Sequence, residues 1–545
     1  MRRGTVLVAG LIAVLALAAG ASASSDGKRS PQIKVGGTLL FGAEQEVDCL
    51  NLLLNPCNAL WGTIFENGVI RGAYVIQPDF SYKPDVVSKV TLQLKPMRLT
   101  YQVRPNARWS DGTPLTARDF VFTLRTIMNQ RWDIVSRNGY DLITKTKVSG
   151  KGKAVQFTFK RPFAGWKDLF SYVLPQHALQ GADFNSVWND AVVNPKTGKP
   201  IASGPFLLTR WQKGSQITLT RNPRWWGPHR PYLNSIVFRF LTNTNTEIQQ
   251  VRGGEVDAIY PQPQLELAEL RQAAGLRVQS SLGPSWEHID IQQGPKGNPL
   301  AKNLWVRQAM ILSLDRNAVL QALFRTLNPN LRPLNNLIYL NNFPQYQNHW
   351  GKWNYNPNRA RQILESHGCR KGGDGIYSCG GTRLSFQFES TRGNKLRELA
   401  FTVIQDIWKK NGIEVKDNFK PSAVAFGTDL VQGNYDLFMF AWTGTPDPQG
   451  ATPIWSCPSA GGTQNYMSYC NMRATRLLHQ ADAELNPKKR QDFVNQADAL
   501  MSSDIPTIPL YQKPTYLVAH TYVKGMRDNV AIGPTYNIED WWMDK

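Results

Sequence analysis

The chain has 545 residues, 42 % of them hydrophobic and 19 % charged, a composition that fits a globular protein, with more length than one hydrophobic core usually supports. Lysine and arginine outnumber the acids 62 to 41, giving a net charge of +21. The basic residues are spread along the chain without a long run, and no zinc-finger, RNA-recognition or basic-helix pattern occurs, so the charge points to an anionic envelope surface or to solubility, not to nucleic acid.

In chain order, Arg2 and Arg3 precede an apolar run from Val6 to Ala19, and Ala21-Ser22-Ala23 offers a small-x-small cleavage site. Residues 1–23 therefore read as a secretory signal, cleaved after Ala23, which leaves an exported chain of net charge +19. The apolar run of about 14 residues falls short of the ~20 that span a bilayer, and no later stretch approaches that length. No cysteine follows the run closely, so a lipid anchor has no acceptor. A polar lead occupies residues 24–32.

Leu99, Tyr101 and Val103 alternate with polar residues as a half-buried strand does, and Asp111-Gly112-Thr113-Pro114 carries turn chemistry. A helix follows, with Thr116 as N-cap, Asp119 three residues on, and Phe120, Val121 and Leu124 as its apolar face. Asn356-Pro357 predicts a second capped helix with Ala360, Ile363, Leu364 and His367 along one face and Gly368 as its stop. The stretch Lys395 to Asn411 predicts a third, with Leu396, Leu399, Ala400, Val403, Ile407 and Trp408 inward, followed by a strand from Ile413. Asn486-Pro487 opens a fourth, with Phe493, Ala497, Leu500 and Met501 inward, before a proline-punctuated extended run from Ile505 to Tyr511 that suits a crossing between lobes. The mixture of helices and strands without a fixed repeat gives an α/β or α+β class.

The six cysteines fall into three close pairs, Cys49 with Cys57, Cys369 with Cys379, and Cys457 with Cys470. Local bridging is the simplest of the fifteen possible connectivities in an exported chain, and the Gly-rich stretch between Cys369 and Cys379 can turn back as a hairpin. No pair has metal-binding C-x-x-C spacing, and the seven histidines never fall at helical ligand spacing. Neither G-x-S-x-G nor a zinc-protease histidine motif is present, so the chain reads as a non-enzyme without a metal or cofactor.

The segment WSDGTPLTARDFVFTL, residues 109–124, closely resembles the signature of family 5 extracellular solute-binding proteins, the dipeptide and oligopeptide receptors of ABC importers. Further segments in the right order extend the resemblance: Ser203-Gly204-Pro205-Phe206, Arg221-Asn222-Pro223 with Trp225-Trp226, Gly254-Glu255-Val256-Asp257, Val306-Arg307-Gln308-Ala309 with Leu314-Asp315-Arg316, Tyr355-Asn356-Pro357, and Tyr435-Asp436 through Trp442 with Asp447-Pro448. The resemblance implies an α/β, two-lobed periplasmic-binding-protein-like fold of the class II type with an extra subdomain in the first lobe. On this reading residues 24–284 form lobe I, with the insertion at about 84–195, residues 285–506 form lobe II, and residues 507–545 return to lobe I.

The same resemblance implies a hinged trap: a ligand touching both lobes binds the closed state better and so shifts the population toward it, for presentation to a permease and its ATPases. A monomer is expected, because closure needs free lobes. Peptide is the first choice of ligand, although the aspartate that pairs with the ligand's α-ammonium in oligopeptide receptors of the family falls here at Thr445. Asp447, two residues farther on, matches the Asp-Pro loop and is read as a turn former, which leaves Glu44 or Glu46 to hold an amino terminus. Trp286 and Trp442 are candidate cleft-lining residues because indole stacks on sugars and peptide side chains, and the resemblance adds His288, since Trp286-Glu287-His288 stands where the family's chain first enters the second lobe. Trp109 and Trp225-Trp226 are read as structural. Two alternatives stay open: an importer receptor for an oligosaccharide, glycoside or metal chelate, and a secreted polymer-binding or chaperone-like protein.

Overall fold

The computed structural model describes residues 32–444 and 447–545, so the expected signal, the polar lead up to Pro31, and Thr445 lie outside the described residues. Within them ten strands share one sheet, in the order Phe206–Gln212, Gln216–Arg221, Ser235–Phe240, Thr38–Ala43, Ala258–Ile259, Thr507–His520, Leu276–Ile291, Leu437–Thr443, Ser385–Glu389 and Glu414–Asp417. Parallel pairs (Thr38–Ala43 with its two neighbours, and the last three strands) mix with antiparallel ones, as expected when helices connect some neighbours and short turns connect others. The fold is mixed α/β.

Two large hydrophobic cores flank the middle of this sheet. One gathers Leu39, Phe41, Trp61, Phe65 and Phe238 and, from the far end of the chain, Leu517 and Trp541. The other gathers Ile289, Val306, Leu312, Phe386, Trp408, Leu437 and Ile508. The long strands Leu276–Ile291 and Thr507–His520 pair along almost their whole length, and the latter gives Ile508 and Leu510 to the second core and Leu517 and Ala519 to the first. Their register holds from Leu276–His520 to Leu282–Pro514, breaks, and resumes at Trp286–Gln512, so Lys513 lies opposite the break. Gly283 sits in that break where a Cβ would meet the Val530 Cβ at 2.5 Å, so the backbones can approach only because the side chain is missing.

Local chemistry accounts for the elements as they stand. Strand Met97–Val103 buries Leu99, Tyr101 and Val103, and Gly112 takes φ +97° in the turn that follows. Helix Ala117–Met128 starts with a capping box in which the Thr116 N–H donates to Asp119 Oδ2 at 2.7 Å. Asn356 caps helix Pro357–Ser366 and Asn486 caps Pro487–Asp504, each accepting backbone N–H bonds of the first turn. Two expected faces differ. His367 lies past the helix end, exposed and stacked on Trp305 at 4.6 Å, instead of facing inward. Helix Lys395–Lys410 buries Leu396, Ala400, Phe401, Ile404 and Trp408 and leaves Leu399 exposed, because the sheet below meets it along that i, i+4 stripe.

Strands Val87–Leu94, Met97–Val103, Ala154–Phe159 and Ile143–Ser149 form a separate antiparallel sheet contacted by helix Ala117–Met128. Disulfides join Cys49 to Cys57, Cys369 to Cys379 and Cys457 to Cys470, the second closing the hairpin of Arg370–Lys371 and Tyr377–Cys379. No helix among the described residues is long and apolar enough to cross a membrane.

Candidate ligand-binding cleft

Between the two cores lies a cavity of about 1110 Å³. That exceeds the ~300–1,000 Å³ usual for small-molecule sites and leaves room for several residues of a polymer. Its walls come from the loop after strand Thr38–Ala43, from Tyr82 and Asp168, from the strand break at Ser285, Trp286 and Lys513, and from Phe426, Phe440, Trp442 and Tyr466 beyond it. The rims touch. Gln45 Nε2 donates to Ser422 Oγ at 3.0 Å, Thr463 Oγ1 to the Val135 carbonyl at 3.1 Å, and Gln449 Nε2 to Asp168 Oδ2 at 3.0 Å. Asn138 Nδ2 reaches both Gln449 Oε1 at 3.1 Å and Asp482 Oδ2 at 3.2 Å.

The two acids at the end of the first strand have different surroundings. Both oxygens of Glu46 are occupied, Oε1 accepting from Trp211 Nε1 at 2.8 Å and both accepting from the Gly214 N–H at 3.0 Å, so this side chain ties down the tip of a hairpin. Glu44 accepts from Trp61 Nε1 at 3.3 Å and from Gln262 Nε2 through Oε1 alone, while Oε2 is buried without a hydrogen-bond partner. Burial pushes the Glu44 carboxyl above its ordinary pKa, with the Lys513 ammonium and the two donors partly opposing the shift.

Lys513, which the sequence reading passed over, projects from the strand break into the cavity wall. Among the described residues it has no hydrogen bond, and no carboxylate lies within ion-pair distance. Burial holds its pKa below the ordinary lysine value, Glu287 and Glu44 pull it up, and Arg397 adds to the depression. Arg397 itself is pinned, its Nε donating to Glu287 Oε1 at 2.7 Å and its Nη1 to Thr391 Oγ1 at 2.9 Å. Glu44 Oε2 and Glu287 Oε2 are both buried without a hydrogen-bond partner, and of these two acids Glu44 lines the cavity, together with Lys513. The sequence marks Lys513 only as the one lysine, arginine or acid of its strand, next to a proline.

The adjoining stretch of wall is aromatic. Trp286 and Trp442 are cross-strand partners, as are His288 and Phe440, so all four share one face of the sheet. Trp286 stacks on Trp455 at 6.3 Å and Trp442 on Tyr466 at 6.0 Å, and Trp442 Nε1 is buried with no hydrogen-bond partner. His288 does not line the cavity as the sequence reading expected. It is fully buried against Phe440, 3.3 Å from the equally buried Asp290, because Phe440 and Trp442 continue the face and cover it. Asp447 does line the cavity, and its carboxylate is held: Oδ1 accepts the Gln449 N–H at 3.0 Å, capping a short helix, and Oδ2 accepts from Arg490 Nη1 at 2.7 Å. Trp109 is buried in the first core and the Trp225 and Trp226 rings pack on each other at 4.7 Å, away from the cleft.

Residues 81–464 match the family model of "Bacterial extracellular solute-binding proteins, family 5 Middle". The chain is 27 % identical to the oligopeptide-binding protein OppA of Mycobacterium tuberculosis over 81 % of this chain and 74 % of that one, and 24 % identical to the oligopeptide-binding protein AppA of Bacillus subtilis over 100 % and 99 %. The solved structure of the Bacillus subtilis AppA in complex with a nonapeptide superposes with a TM-score of 0.84 at 23 % identity, covering 94 % of this chain and all of that one. The periplasmic EDTA-binding protein EppA superposes equally well, with a TM-score of 0.84 at 24 % identity over 95 % of this chain and 98 % of that one. The two-core sheet, the cleft across its two crossing strands and a family match spanning most of the chain together make this protein a member of family 5 of the bacterial extracellular solute-binding proteins.

Proposed function

We propose that the protein is an exported receptor that encloses dipeptides or oligopeptides between its two lobes and hands them to an ABC permease. The observation that carries this is the buried Glu44 carboxyl, one oxygen of which has no hydrogen-bond partner, in the wall of a cavity that Lys513 also lines. A peptide brings an ammonium for the first and a carboxylate for the second, and its backbone and side chains fill the space between them beside the aromatic wall. Glu44 thus takes the role that an aspartate at the position of Thr445 has in the resembling oligopeptide receptors, and Glu46 does not, because its oxygens are spent on Trp211 and Gly214. The relatives named for oligopeptide binding support the ligand class.

On this reading lobe I comprises residues 24–284 with the insertion at about 84–195, lobe II residues 285–506, and residues 507–545 complete lobe I. The strands crossing at Gly283 and Lys513 serve as the hinge, the receptor acts as a monomer, and it works outside the cytoplasm after loss of residues 1–23. The test is to purify residues 24–545, denature them and identify the released small molecules by mass spectrometry. Short peptides support the proposal; a sugar or a metal chelate replaces the ligand class while leaving the receptor role, and a protein that releases nothing and ignores peptide libraries overturns it.

A further inference from the structure

The separate four-stranded sheet has a feature that ligand capture does not use. Its inner face is a continuous core of Leu99, Tyr101, Val155, Phe157 and Phe159, each at most 3 % exposed. Alternation therefore sends the other residues of every strand to the outer face, where Lys89, Arg98, Lys145 and Lys147 stand among threonines, glutamines, a serine and an alanine. No acid joins them. The two hairpins, residues 87–103 and 143–160, contain eight lysines and arginines and not one aspartate or glutamate. Among the described residues none of the four face cations forms an ion pair; in the same hairpins Lys160 reaches Asp141 at 3.9 Å and Lys153 is spent on the Leu115 carbonyl. The net positive charge, which reads along the sequence as evenly scattered, is thus concentrated here by the pairing of separate hairpins.

We propose that this face docks the protein on the anionic headgroups of a phospholipid bilayer. The face is a rigid sheet about 15 Å across, at ~4.8 Å per strand, with same-side residues recurring about every 7 Å, a flat array suited to a plane of phosphates and without the groove that would follow a duplex. It carries no aromatic side chain on which bases of a single strand could stack. Its threonine hydroxyls and glutamine amides can donate hydrogen bonds to phosphate oxygens between the cations.

The experiment is sedimentation of residues 24–545 with vesicles of phosphatidylcholine, and with vesicles in which about a third of it is replaced by phosphatidylglycerol. Each cation near such a surface contributes about five-fold in partitioning, so the K89Q/R98Q/K145Q/K147Q variant is expected to bind the anionic vesicles at least about 30-fold more weakly. A charge-matched variant, R473Q/R476Q/K488Q/K489Q, removes four exposed cations from helices elsewhere and is expected to bind like the parent. Both variants should keep the parent's thermal midpoint, and parental binding should weaken steeply with added salt. Equal loss in the two variants would assign the effect to net charge and overturn the proposal. So would the absence of parental binding to anionic vesicles, or binding to soluble polyphosphate that matches the vesicles at equal phosphate concentration.

Discussion

Replacing Glu44 by Gln removes one negative charge while keeping the side chain's shape and its contact with Trp61. An ammonium docked about 3 Å from Glu44 Oε2 gains about 5 kcal/mol at an effective dielectric constant of 20. Dehydrating the ammonium takes back more than half of this, whereas the carboxylate is already desolvated in the empty site, as its raised pKa records. The net is about 2–3 kcal/mol, within the range for hydrogen bonds to charged groups, and Glu44→Gln should raise the Kd for a peptide about 30- to 150-fold. Calorimetry with a free and an N-acetylated version of the same peptide completes a cycle: acetylation should cost the parent protein as much as the mutation does, and should cost Glu44→Gln almost nothing. Penalties that simply add, with a coupling below about 0.5 kcal/mol, would refute the pairing of Glu44 with the ligand's amino terminus. Glu46→Gln serves as the internal control and should leave affinity within about two-fold, since removing one charge from a hairpin tie weakens the fold locally but touches no ligand.

The cleft rim should respond to pH: burial raises Asp168 and Asp482 to about 7, with Asp447 adding to both shifts, so the touching rims hold protons that separated, solvated carboxyls would release. Contact is therefore favoured as pH falls through 7 and opposed as it rises, and X-ray scattering of the ligand-free protein should show a more compact particle at pH 5.5 than at pH 8; the reverse order would contradict the sign. Replacing Cys457 and Cys470 together by serine reopens a loop of 13 residues and should lower stability by about 3 kcal/mol in a denaturant titration under oxidising conditions, with no difference from the parent once both are reduced. Gly283→Val forces a Cβ into Val530 and should cost about 1–3 kcal/mol in the same titration, whereas Gly254→Ala, at a helix end with open space around it, should cost only the strain of its positive φ.

What was legible in the sequence was whatever neighbours within a few residues decide. The caps at Thr116, Asn356 and Asn486 and the three local disulfides depend on side chains that reach their partners along the chain. Parity along a strand was legible too, but not which face another segment covers: Trp286 and His288 share a face, and only the packing of Phe440 and Trp442 turns one toward the cavity and the other into the core. The charged group at the crossing was hidden because Glu287 and Arg397 are 110 residues apart and Lys513 reaches the same place from the last strand of the large sheet. Helix Lys395–Lys410 shows the same limit on a small scale, since a stripe read one residue to the side puts Leu399 inward in place of Ile404.

The position of the strand Thr507–His520 also governs the order in which the molecule can be made. It lies between Ala258–Ile259 and Leu276–Ile291, and beyond it Trp541 stacks on Phe41 at 6.1 Å, so strand Thr38–Ala43 waits for residues synthesised far later than itself. A nascent polypeptide that has not yet reached Thr507–Trp541 has a gap in the middle of the large sheet and a missing aromatic beneath strand Thr38–Ala43. Until that segment has been made it cannot lock into its finished shape, so the two cores that share the strand close late and together.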